Sequence, residues 1–512
     1  MSSNGFLGID AGTQGLSATF TDEAMQVIAT GEGEYEMISG LPDGDYQQHP
    51  TDWINALQSA MADLRKKMAG IDPDWNVLAI GISGQMHGEV LADDAGTPLG
   101  AARLWCNAGN EEEGDELTAL LGVKMPKRIT ASRWLWTLRN QPEKAAQTAQ
   151  ITTPGGWISY QLTGERTLGI GDASGIFPID QHTLTYDAKR LDLFQQRAPE
   201  GLPALSDLLP RVCRAGEDGG TLTANGAQLT GLKEGIPVAP AEGDQPAAMA
   251  GSLAGEAGMI AVSLGTSVCA NAVGDRPFSG VHAAIDHFCA ADGKPINMVW
   301  LRNGTTYMNT LIDLFAAVSG GSRKDGFATV IPQLIEAPAD CGGLLALPFM
   351  DDEPGLGIAR GGTALLCGLN AENATPGNVA KAALLATLFD LRYGLAELDR
   401  QGYPRTQMGV SGGLIRDAEL GQIVADAFNT PVTILDSATE GSAWGAALLC
   451  KYRWLHAGGE TRPWNEFLQQ HAPATVTRLE PVAEEAKVYD RMYARYLKLL
   501  AAQPGLDQAM NA

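Results

Sequence analysis

The sequence predicts an α/β protein built from two related domains that face each other across a cleft. Two observations lead there. The chain has 512 residues, too many for one compact core when domains usually run to about 100–200 residues. And Ile9-Asp10-Ala11-Gly12-Thr13-Gln14 near the start recurs in type as Val262-Ser263-Leu264-Gly265-Thr266-Ser267 in the second half. In each copy a β-type apolar run enters Gly-Thr and a further strand-like segment follows, residues 16–20 in the first and 268–273 in the second. Each copy thus predicts a β-hairpin whose Gly-Thr tip points into the shared cleft.

Taken in order, residues 26–30 predict a third meander strand. Thr51 is then expected to cap a helix whose Trp53, Leu57, Met61, Leu64 and Met68 share one face and form core. Residues 77–82 read as a buried strand running into the loop Ser83-Gly84-Gln85-Met86-His87-Gly88. Ligands of open α/β sheets bind beyond the carboxyl ends of strands, which makes this loop a site candidate. An apolar strand at 236–239 leads into Glu242-Gly243-Asp244-Gln245, a strand-to-helix turn. The domain boundary is placed at 250–256, just before the second hairpin.

The second half repeats the logic. A strand at 259–264 and a long helix over 379–398 precede a strand at 407–410, which runs into Ser411-Gly412-Gly413. A helix then starts near Asp417, a strand follows at 431–435, and the small residues of 440–447 suit close helix packing. Residues 483–500 read as a terminal helix, with the last dozen residues loose.

Composition narrows the function. Hydrophobic residues make up 45% of the chain, and no unbroken apolar run approaches the roughly 18 residues of a membrane span. Residues 1–5 carry no Lys or Arg and the apolar stretch 6–9 stops at Asp10, so no signal peptide is indicated and a cytoplasmic location is expected. The seven cysteines are scattered and form no C-x-x-C pair, which points to neither a disulfide framework nor a structural zinc site. A formal net charge of −24 disfavours nucleic acid and anionic membranes. An anionic ligand must then be held by local N–H groups, a few cations or a metal.

Phosphoryl transfer needs in-line positioning, charge neutralisation and usually Mg²⁺. The chain contains no G-x-x-x-x-G-K-[ST] loop, but two Gly-Thr tips offer another phosphate cradle: glycine admits the backbone close to phosphate oxygens and threonine adds a hydroxyl. Asp10 precedes the first tip by two residues, where a carboxylate would repel phosphate unless it holds Mg²⁺. Its counterpart in the second hairpin is Ser263. Asp244 in its turn is either a carboxylate at the mouth of the cleft or an N-cap. Met86 and His87 are either polyol contacts or structural residues.

These segments together resemble the FGGY carbohydrate kinases along nearly the whole chain. Residues 8–14 look like the family's first phosphate motif, with Gly12, Thr13 and Gln14 as cofactor contacts; residues 263–267 look like its second, with Gly265 and Thr266; Gly412 and Gly413 with Asp417 look like its adenosine motif. Gly81-Ile82-Ser83-Gly84-Gln85-Met86-His87-Gly88 is most similar to xylulokinases, and Gly243-Asp244-Gln245 to their catalytic-base motif. The resemblance implies two ribonuclease-H-like, actin-like ATPase domains, ATP and Mg²⁺ as cofactors, Asp244 as catalytic base and Asp10 on the metal. Met86, His87, Trp105, Asp244 and Gln245 are then the sugar contacts. It implies a sugar-binding domain over residues 1–252, a nucleotide-binding domain over 253–490 and a helix end with tail over 491–512. The chain departs from the family where W-x-D-x-R is replaced by Trp105-Cys106-Asn107-Ala108-Gly109.

The expected reaction is ATP-dependent phosphorylation of D-xylulose to D-xylulose 5-phosphate, with ribulose, erythritol or sedoheptulose as alternative acceptors. A reading of another class is an actin-like ATPase or a non-catalytic sugar-binding regulator; the retained Asp244 and Met86-His87 argue against both. A homodimer is common among such kinases.

Overall fold

The computed structural model describes residues 3–412, 418–435, 441–472 and 476–510. The first sheet has five strands. Asn4–Ala11, Gly15–Asp22 and Val27–Glu34 form an antiparallel meander, and Asn76–Gly84 runs parallel to the first of them. The two-residue strand Glu242–Gly243 pairs with the outer side of Asn76–Gly84. Strands Asn4–Ala11 and Asn76–Gly84 are apolar and buried along almost their full length, as expected of strands covered on both faces.

Helix Pro50–Ile71 packs on the meander strands Gly15–Asp22 and Val27–Glu34 and buries Trp53, Leu57, Met61, Leu64 and Met68 as the periodicity predicts. Its start differs from expectation: His49 is the N-cap, Pro50 the first helical residue, and Thr51 lies inside the exposed first turn. Proline suits that position because its φ is already helical and the N–H it lacks would have no intrahelical partner. The predicted strand at 236–239 is likewise reduced to isolated bridges, Val238 with Ile80 and Pro237 with Thr221. A proline cannot donate to a ladder, so pairing resumes only at Glu242.

The second sheet has seven strands and repeats the plan. Met259–Leu264 and Val268–Val273 form the hairpin, Pro295–Leu301 and Ile285–Cys289 extend the meander, and Gln407–Ser411 runs parallel to the first hairpin strand. Val432–Leu435 and Val476–Leu479 complete it. The duplication extends to register: Asp10 faces Ser83 across the parallel pair in one sheet, and Ser263 faces Ser411 in the other. Helix Pro376–Arg400, capped by the Thr375 hydroxyl accepting from Asn378 N at 3.2 Å, is buried along most of its length in the core of this half.

The small residues near 440–447 do serve close packing, but on the other domain. Helix Gly441–Ala457 lies on the first sheet, where a Cβ on Gly8 or Gly81 would fall 1.9 Å from the carbonyl oxygens of Ala443 or Ala446. A Cβ on Gly445 would fall as close to the Ala247 carbonyl oxygen, at 1.9 Å, so the helix packs backbone to backbone on Asp244–Gly251. The terminal helix Ala483–Met510 runs ten residues past its expected end at 500. Leu500 and Gln503 are buried and the Gln503 amide donates to Thr363 Oγ1 at 3.0 Å, so the segment has contacts that hold it. Among the described residues no helix is long and apolar enough to cross a membrane, and all seven cysteines are free thiols.

Candidate active site

Both hairpins bring their Gly-Thr tips to the space between the sheets. In the first, Gly12 N donates to Gly15 O at 3.0 Å and the Tyr35 hydroxyl donates to Gly12 O and Gly15 O at 2.5 and 3.0 Å. Gln48 Nε2 donates to Thr13 O at 2.8 Å, and the Gln48 carbonyl in turn accepts from Gln85 and Trp53. With its carbonyls occupied from behind, the tip turns the Thr13 side chain to the cavity. The Trp105 indole N–H donates to Thr13 Oγ1 at 3.1 Å, leaving that hydroxyl its own proton to give. Gln14 stands exposed at the tip.

The second tip is held in the same way. Gly304 N donates to Thr266 O at 2.9 Å and Thr305 N to Gly265 O at 2.8 Å. Gly412, at φ 128°, sits against this hairpin so tightly that a Cβ would lie 2.1 Å from Leu264 O. Only glycine fits there. Gly413 and Asp417 lie outside the described residues.

Each tip lines a cavity. One, of about 470 Å³, is lined by Thr13, Met86, His87, Trp105, Asp244 and Gln245 from the first half and by Ser267, Asn271 and Trp300 from the second. The other, of about 830 Å³, lies in the second half behind Gly265 and Thr266, between apolar walls at Phe327, Ile331, Ile335 and Leu420. The first has polar groups from both halves set in a mainly apolar lining; the second includes the Gly265-Thr266 tip in its lining.

Asp244 is the first residue of helix Asp244–Gly251, and Gly243 is the N-cap. Its Oδ1 accepts from Gln245 N at 2.8 Å. Burial, reinforced by the Asp10 carboxylate, pushes its pKa up to about 7. Asp10 is raised too, by burial, while a 2.5 Å hydrogen bond from Ser83 Oγ opposes the shift. The Asp10 and Asp244 carboxylates are thus both buried, and the charge of Asp10 is felt at Asp244. Gln245 Oε1 accepts from Asn271 Nδ2 at 3.0 Å, a link between the domains beside Asp244.

His87 occupies the left-handed region at φ 64°, an uncommon state for a residue with a Cβ, at a cost of about 1–3 kcal/mol. Its Nδ1 lies 3.1 Å from the Gly175 carbonyl, which can only accept, so the proton is on Nδ1 and Nε2 is left as an acceptor. Burial lowers its pKa to about 3, so the ring is neutral at working pH. Gly175 is itself placed by Glu242, whose carboxylate takes Gly171 N at 3.2 Å and Asp172 N at 2.9 Å at the start of helix Ile170–Ile176.

The sequence reading missed three residues around this cavity. Arg128 lines it and pairs with Asp286 of the second sheet, as does Lys124 at 2.8 Å. Arg133 is wholly buried behind it. Arg128 and Asp286 belong to no motif, and only the tertiary fold brings them together. Arg133 left a faint signal, a cation on the apolar face of Thr130–Asn140.

A divalent cation fits Asp10 in one way only. Among the described residues no group of three or more His, Cys, Asp or Glu side chains could hold a metal ion. Mg²⁺ is commonly bound by one or two carboxylates together with substrate phosphates and water. Asp10, a buried carboxylate two residues before a Gly-Thr tip, matches that donor set, and a closed protein cage does not.

Duplicated α/β domains, two glycine-threonine tips and a cavity lined by a buried carboxylate are the plan of an ATP-dependent sugar kinase. Residues 6–251 match the N-terminal domain of the FGGY family of carbohydrate kinases and residues 260–454 its C-terminal domain, and the chain belongs to this family. It is 30% identical to the xylulose kinase of Haemophilus influenzae, over 97% of this chain and 99% of that one. It is 26% identical to the ribulokinase of Mycolicibacterium smegmatis, over 91% and 86% of the two chains. The crystal structure of a xyloylose kinase from Brucella ovis superposes with a TM-score of 0.81 at 25% identity, covering 98% of this chain and 100% of that one.

Proposed function

We propose that the enzyme transfers the γ-phosphoryl group of ATP to D-xylulose, giving D-xylulose 5-phosphate and ADP, with Asp244 as general base. The observation that carries this reading is the place of Asp244, in the wall of the 470 Å³ cavity that also contains Thr13 of the first Gly-Thr tip. Its pKa of about 7 suits a group that must take a proton at neutral pH. The acceptor hydroxyl loses its proton to Asp244 as its oxygen bonds to the γ-phosphorus, and the bond from phosphorus to the β,γ-bridging oxygen breaks to release ADP.

Thr13 and Thr266 hydroxyls would hold the transferred phosphates from the two domains, and the second cavity, with Gly412 at its edge, would take the nucleoside. Asp10 would hold Mg²⁺ directly or through water, and the ion when bound neutralises charge on the β- and γ-phosphates. Met86, His87, Trp105 and Gln245 would bind the sugar, neutral His87 accepting from a hydroxyl. The seven free cysteines fit a reducing compartment, and the cytoplasm is the proposed location.

The choice of D-xylulose rests on likeness to proteins named xylulose kinase; a ribulokinase also resembles the chain, at 26% identity. The decisive experiment is ADP release with Mg-ATP and a panel of D-xylulose, ribulose, erythritol and sedoheptulose. D-xylulose is expected to give the highest kcat/KM and ADP release without acceptor to be slow. A tenfold preference for another acceptor would replace the substrate.

A further inference from the structure

Among the described residues Arg133 has no carboxylate partner. Its side chain is wholly buried in helix Thr130–Asn140, and the two Nη groups of its guanidinium donate to three backbone carbonyls while Nε has no partner. Nη1 donates to His87 O and, at 2.6 Å, to Arg128 O; Nη2 donates to Trp105 O at 2.9 Å. His87, Trp105 and Arg128 come from three separate turns of the chain, and all three line the 470 Å³ cavity. The nearest acid does not compete, since Glu89 is taken by Arg103 at 2.7 Å and by the Thr137 hydroxyl at 3.0 Å.

We propose that Arg133 is the positioning residue of the acceptor site, a single planar fork that sets the spacing of the His87, Trp105 and Arg128 walls. The inference rests on reading this cavity as the sugar site. A residue in the left-handed region persists only where its surroundings over-determine it, and for His87 those surroundings are Arg133 at the carbonyl and Gly175 at the ring. Burial lowers the Arg133 pKa only to about 9, so it stays charged at neutral pH and all its N–H groups remain donors. Lysine cannot replace it, because one nitrogen cannot occupy both the Nη1 and the Nη2 positions.

The test is steady-state kinetics of Arg133→Lys and Arg133→Ala with the best acceptor of the panel. The sugar KM is expected to rise at least tenfold in both while the KM for ATP stays within twofold. Millimolar guanidinium ion is expected to recover part of the sugar KM in Arg133→Ala but not in Arg133→Lys. A sugar KM within twofold of wild type in Arg133→Lys overturns the proposal. So does a protein that fails to fold, or parallel losses in kcat and both KM values, since either makes Arg133 a core residue and no more. His87→Ala separates the two levels: if it raises the sugar KM and Arg133→Lys does not, only the positioning role falls. If neither changes it, the cavity is not the sugar site.

Discussion

A sugar hydroxyl is a weak nucleophile at neutral pH, and general-base assistance from a placed carboxylate contributes typically about 10²–10⁴-fold. Asp244→Asn keeps the size and the hydrogen bond from Gln245 N but deletes the base, so kcat is expected to fall at least about a hundredfold with ATP affinity little changed. An Asn variant turning over near the wild-type rate would end the assignment, because Asn serves the helix start as well as Asp. The pH profile is the second measure. As a general base Asp244 would act only when deprotonated, and burial beside Asp10 raises its pKa to about 7. Below that value kcat/KM for the sugar should therefore drop with unit slope, and the acid limb should vanish in the residual activity of the Asn variant. At the tips, Thr13→Val or Thr266→Val removes one hydrogen bond to a charged group, worth about 1.5–3 kcal/mol. The ATP KM should rise with the sugar KM nearly unchanged; unaltered ATP kinetics in both variants would remove the two-tip cradle.

Elements were legible where the signal is local and hidden where it is not. Strand Met259–Leu264 has the bounds read from the sequence, and both hairpins form with Gly-Thr at the tip, because apolar runs punctuated by glycine carry their own turn. The Thr51 cap was misread because a threonine and a proline both mark helix starts and the proline wins the first position. The site was legible as motif residues on strand ends, including Met86, His87 and Asp244, which line one cavity. Arg128, Arg133 and Asp286 were not, since their pairings join segments far apart in sequence. The destination of helix Gly441–Ala457 was equally invisible: its small residues announce a close contact but not with which sheet. That contact is testable. Gly81 has the Ala446 carbonyl where its Cβ would be, at 1.9 Å, so even Gly81→Ala must push backbone from backbone. Overpacking of this kind costs about 1–3 kcal/mol. A clear fall in melting temperature is expected, and an unshifted melt would mean that the helix does not seat on the sheet as described.

At the scale of the whole molecule the two halves are tied by charge beside the 470 Å³ cavity. Lys124 and Arg128 project from the segment before helix Thr130–Asn140, and both meet Asp286 on strand Ile285–Cys289 of the second sheet. Lys124 also donates to the Ala283 carbonyl. All this lies beside the cavity proposed to take the sugar, since Arg128 is one of its walls. A bound sugar touching Arg128 would therefore meet a residue that already grips the other domain. Closure matters chemically because an open cleft lets water compete for the phosphoryl group. Asp286→Asn keeps the shape of the side chain and removes the charge, leaving Lys124 and Arg128 without their shared partner; breaking a buried pair in this way costs about 3–5 kcal/mol. Part of that loss can be avoided by opening the cleft to water, so the variant should favour the open form. Small-angle scattering of the wild type should show compaction when the sugar and a non-hydrolysable ATP analogue are added together, and Asp286→Asn should show less. Its ADP release without acceptor should rise relative to its sugar-dependent rate. Identical scattering for the two proteins with both ligands, and an unchanged ratio of the two rates, would mean that the cluster packs the domains together but does not govern closure.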